Sequence, residues 1–235
     1  MAYDYQGIVN DVLLELNEQT LDLVSEFNSA VGFHAFAKLA VNWSINYINK
    51  EEDWEWPWNK TVGTVVCTPG QGDLNTPITL STAASIDWDS FYIAYDALLP
   101  EKNDQQRLPT INLSVYRQRY FEEEVAKNNS TTPLRTKPKF VVRDQDNKLI
   151  LTGIPDQAYT IKYEYFAYNT PLSAPTDTTN IPEAYRHIIV KGALARCHAF
   201  RADENMYNFT MDEFKDDINA MRRVLIPQEV TMQSF

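Results

Sequence analysis

One segment constrains this chain more than any other. In Tyr159–Tyr168, Tyr159, Ile161, Tyr163 and Tyr165 fall on one face while Thr160, Lys162 and Glu164 occupy the other. That period of two marks an antiparallel strand with one packed face. The strand ends a longer run, Lys139–Ser173, that reads as strand, polar turn, second strand, Pro-Asp break and aromatic strand. Nothing in it looks catalytic. Further strands are expected at Val62–Thr68, Ile78–Ser81, Asp87–Asp96, Leu108–Leu113, Phe140–Arg143 and Lys148–Thr152. Thr68–Gly72 reads as a hairpin loop between strands, and Asn128–Pro138, rich in Ser, Thr and Pro, as a flexible tip. One helix, Val115–Val125, interrupts the strands, with Tyr116, Tyr120 and Glu124 in register.

The flanks read differently. In residues 6–17, Ile8, Val12 and Leu16 lie four apart on one helical face, and Gly32–Lys50 carries a wide apolar stripe through Phe36, Ala40, Trp43 and Tyr47. After Pro171 and the polar linker Ser173–Asn180, helical spacing returns in Tyr185, Ile188, Ile189, Ala193, Cys197 and Phe200, with Pro182 suited to a first helical position. Thr210-Met211-Asp212-Glu213 has the form of a capping box ahead of Phe214, Ile218, Met221 and Leu225. The expected class is therefore α+β: an α-helical bundle built from both termini with an inserted, mainly antiparallel β domain. The boundaries drawn are 1–58 with 171–227 for the helical bundle domain, 59–170 for the inserted β domain and 228–235 for a C-terminal tail.

Composition narrows the chemistry. A chain of 235 residues with 44% hydrophobic content can bury a substantial core. Its net charge of -11 opposes direct nucleic-acid binding, which needs Lys and Arg clusters against phosphates. The basic stretch Arg135–Lys139, followed by Arg143, reads as a solvated loop face. No charged n-region or apolar run at the start suggests a signal peptide, and no stretch approaches a membrane span. Cys67 and Cys197 form no CxxC or disulfide pattern, as suits buried thiols in a reducing cytoplasm. His34, His187 and His198 have no ligand spacing, and neither a nucleophile elbow nor a phosphate-cradling loop is present. The expectation is no catalytic residues, no cofactor and no metal site. Abundant carboxylates and aromatic residues leave one rival of another class, a carbohydrate-active or carbohydrate-recognising surface protein.

Two segments are candidate partner contacts. Pro57 pushes Trp56 into an extended conformation, which would set Trp54, Trp56 and Trp58 on one side of the chain. They form either an exposed aromatic platform for a partner or sugar, or a seal between helices and sheet, the commoner arrangement. Past Pro227, Val230 and Met232 stand at strand spacing and Phe235 adds an apolar residue. This segment is either a frayed end or a docking element ordered by a partner or a neighbouring subunit.

Three features together resemble a known family: the helix running into the aromatic-acidic segment Asn46–Trp58; Pro138–Val142 with Lys148–Asp156, Tyr159–Tyr165 and Pro171-Leu172-Ser173; and Ile181-Pro182-Glu183-Ala184-Tyr185 opening a helix through Ala195. Their order is similar to that of the head-to-tail adaptors of short-tailed bacteriophages, the tail tubular protein A group. The resemblance implies a structural, non-enzymatic virion protein at the head-tail interface, assembled in the host cytoplasm. It also implies a homo-oligomeric, dodecameric ring between the portal protein and the tail nozzle protein, through which DNA passes without sequence-specific binding, and no membrane partner. The acidic balance suits such a channel, since negative walls let phosphates slide.

Overall fold

The computed structural model of the protein describes residues 2–94, 106–130, 132–143 and 148–226. In chain order the elements are α1 (Tyr5–Glu15), α2 (Val24–Asn28), α3 (Gly32–Glu51), β1 (Lys60–Cys67), β2 (Ile78–Thr79), β3 (Ser85–Ile93), β4 (Gln106–Arg107), β5 (Thr110–Asn112), α4 (Leu113–Arg119), α5 (Phe121–Asn128), β6 (Phe140–Arg143), β7 (Lys148–Thr152), β8 (Tyr159–Phe166), α6 (Arg186–Phe200) and α7 (Glu204–Leu225). The class is α+β. The chain divides into two compact units, one from residues up to Asn59 together with those from Tyr168 on, the other Lys60–Ala167.

In the helical unit, α6 packs on α1, α3 and α7. Its centre is bare: Gly192 faces Ser44 of α3 and Phe214 of α7 so closely that a Cβ would stand 2.3 Å from the Ser44 hydroxyl and 2.6 Å from the Phe214 ring. The returning chain is fastened to α3 by Asn42, whose Oδ1 accepts the Leu172 N–H at 2.8 Å while Nδ2 donates to the Leu172 carbonyl at 2.9 Å. The linker before α6 is a tight turn. The Asp177 carboxylate accepts the N–H groups of Ser173 and Ala174, which hold its pKa below the ordinary carboxylate value.

Helix α7 starts earlier than the capping-box reading expected. Ala202 takes a left-handed φ of 57° after α6, and the Asp203 carboxylate accepts the Met206 N–H at 3.1 Å, so Asp203 caps the helix. Thr210 is thereby a buried residue inside it. The short α2 carried no periodicity long enough to be read.

The other unit has three layers. Sheet A has the order β1-β8-β3-β4 and sheet B the order β2-β7-β6-β5. Tyr159, Ile161 and Tyr163 of β8 share one core with Cys67, Ile86 and Phe91 of sheet A and with Val141, Leu149 and Leu151 of sheet B. The outer side of sheet B is covered by helix, where Tyr116 of α4 meets Val142 and Ile150. Strand β7 is consequently buried on both faces, which explains its unbroken apolar run. Among the described residues all pairings are antiparallel except β5 with β6.

Three local expectations change. β1 and β2 lie in different sheets, so Thr68–Gly72 is a crossing between layers and not a hairpin loop. The helix expected at Val115–Val125 is two helices, broken at Tyr120 where φ is -124°. The Asn128–Pro138 loop is tied down: Leu134 N–H reaches the Lys127 carbonyl, Arg135 Nε donates to Asn128 Oδ1, and Thr136 N–H reaches the Ile154 carbonyl.

Candidate functional site

The aromatic segment after α3 is folded back as a knot and is not extended. Asp53 and Trp54 have left-handed φ values of 48° and 72°, and Pro57–Asn59 form a 3-10 turn. Reversal at Asp53 lets the Trp54 N–H bond the Asn49 carbonyl at 2.9 Å and closes the helix end. Trp56 is fully buried, its Nε1 donating to the Ile48 carbonyl at 2.7 Å, and its ring is stacked on Trp58. Trp54 meets Tyr168 edge-on at 5.2 Å.

The hub of this knot is Asn49, a residue that sequence reasoning passed over because Asn inside a helix carries no distinctive pattern. It is 1% exposed. Its Nδ2 donates to the Ile45 carbonyl, and its Oδ1 accepts from Trp58 Nε1 at 3.1 Å and Asn59 Nδ2 at 2.8 Å. Trp56 and Trp58 spend ring faces on one another, and Trp58 also lies against Tyr185. Of the two arrangements weighed for these tryptophans, the open platform is not formed; Trp54 and Trp58 remain half-buried and Trp56 is core. Val230, Met232 and Phe235 lie outside the described residues.

An open groove of about 780 Å³ lies among α1, α6 and α7. Its apolar surface comes from Leu14, Val190, Leu194 and Met206. Its cations are paired: Arg186 Nε with Asp11 Oδ2, and Lys191 Nζ with Asp217 Oδ2 at 2.6 Å. His187 and His198 also line it, yet no group of three His, Cys, Asp or Glu positioned to hold a metal occurs among the described residues. Burial pushes the thiols of Cys67 and Cys197 up to about 12, far from a reactive thiolate. No helix of the described residues is long and apolar enough to cross a membrane.

What these residues build is packing and interlocking hydrogen bonds. No curated protein matches the chain. A family model described as SU10 adaptor protein matches residues 3–232, nearly the whole length. The chain therefore belongs to the SU10 adaptor protein family, and its role is that of a structural phage adaptor of the virion.

Proposed function

We propose that this protein is a head-tail adaptor that forms a homomeric, dodecameric ring between the portal and the tail nozzle. The observation that carries this reading is the family match over residues 3–232. The ring lines the channel for genome passage, and a net charge of -11 favours sliding of DNA over adhesion. Val230, Met232 and Phe235, with the half-buried Trp54 and Trp58, are the proposed partner contacts; Trp56 supports them from the core. Assembly takes place in the host cytoplasm, and no enzymatic step is assigned.

Electron microscopy of the purified protein mixed with portal rings tests this. The expected result is a ring of this protein stacked coaxially on the portal. Deleting residues 228–235 should weaken that binding and leave the melting temperature of the free protein unchanged. A virion carrying this chain as single copies or trimers overturns the ring.

A further inference from the structure

Strand β1 is an eight-residue edge strand whose outer side pairs with no other strand among the described residues. Its hydrogen-bonding sides follow from the register with β8. The Thr160 carbonyl accepts from Ala94, the Phe166 carbonyl from Ala84 and the Glu164 N–H donates to Ser90, so the even-numbered residues of β8 point toward β3. The odd-numbered ones, Tyr159 to Tyr165, therefore point toward β1, opposite Cys67, Val65, Gly63 and Thr61. The backbone N–H and C=O groups of Val62, Thr64 and Val66 are left pointing away from the sheet. The side chains of Val62 and Val66 stand 57% and 55% exposed. Edge strands are normally blunted by proline, bulges, repeated charge or shortness. Both edge strands of sheet B use shortness, with β2 spanning two residues and β5 three. β1 uses none of these beyond Lys60 at its start.

We propose that the edge of β1 is a strand-addition site filled by residues 228–235 of a second copy of this chain. The donor has eight residues, as does the acceptor, both about 26 Å long when extended. Val230 and Met232 alternate with Thr231 and Gln233, so one face of an added strand sets Val230 and Met232 beside Val62 and Val66. Each subunit then carries one acceptor and one donor, a head-to-tail contact of the kind that builds a ring when its rotation closes. The proposal deepens the adaptor reading by assigning a contact between neighbouring subunits.

The test uses full-length protein without portal, so its outcome is separate from whether a ring forms on the portal. One variant carries Met232→Cys and the other Val62→Cys or Val66→Cys; the native thiols are buried. Mixed under mild oxidation, the two variants should give disulfide-linked heterodimers, seen on a non-reducing gel. Adding Thr64→Pro to the acceptor removes an N–H that faces away from β8, so the β1–β8 ladder survives while cross-linking falls about tenfold. A thermal melt confirms that this variant is folded. If proline prevents folding, Val230→Asp in the donor replaces it, with the same loss expected. Absence of heterodimer with both acceptor positions overturns the proposal. So does cross-linking that survives Thr64→Pro in folded protein, or a Val66→Cys/Met232→Cys chain that links only within itself.

Discussion

The indole of Trp56 lies flat on that of Trp58, ring centroids 4.8 Å apart and planes within 7°. The pair closes the C-terminal end of α3, with Trp56 in the core and Trp58 bonded to Asn49. Trp56→Ala should cost about 3–5 kcal/mol in chemical denaturation, since a large buried side chain is lost and the Ile48 carbonyl loses a donor. A cost comparable to a surface substitution, below about 1 kcal/mol, would contradict this role.

Gly192→Ala tests the closest helix crossing. The added methyl meets the Ser44 hydroxyl and the Phe214 ring at distances no relaxed packing permits, so α6 must move away from α3 and α7. The expected loss is about 1–3 kcal/mol, read as a lower denaturation midpoint with an unchanged slope. Pairing it with Phe214→Leu should recover part of that loss, because the second change vacates the ring position.

Glu124 supplies a pH dependence of defined sign. Burial pushes its carboxyl above the ordinary carboxylate value, against the opposing pull of the Gly153 N–H at 2.7 Å and the Tyr116 hydroxyl. The folded protein thus holds this proton at pH values where the unfolded chain has released it. Its contribution to stability is greatest below the unfolded pKa and falls as pH rises toward the folded one. Glu124→Gln should flatten that part of the profile and raise the melting temperature at pH 7 by roughly 1–3 °C. A variant that melts lower than wild type at pH 7 would contradict the assignment.

A fragment spanning residues 59–170 should fold by itself. The two sheets share a core of their own, with Phe91 stacked on Tyr163 at 5.1 Å and Gly63 leaving room for the Tyr163 ring. Circular dichroism is expected to show strand with little helix and a cooperative melt. A helical or unfolded spectrum would refute the boundary.

The sequence alone determined what depends on near neighbours along the chain. The alternation in β8, the short apolar runs of β6 and β7 and the stripes of α3 and α6 are local consequences of backbone geometry, and their positions emerge within a few residues. The resemblance to phage adaptors also rested on such segments, and the family match agrees with it. Tertiary structure decided what depends on residues far apart. Thr210 has a capping signature, yet Asp203 had already started the helix once Ala202 reversed the chain. Thr68–Gly72 has hairpin chemistry, but β1 gains more from eight paired residues with β8 than from β2, which joins the other sheet. Trp54–Trp58 would be extended by the rule for residues before proline, and instead curls because Asn49, Ile48 and Tyr185 offer partners to the indole N–H groups and ring faces. The open edge of β1 is of the same kind, because which side of a strand lacks a neighbour is a property of the sheet and is not encoded in the strand's own eight residues.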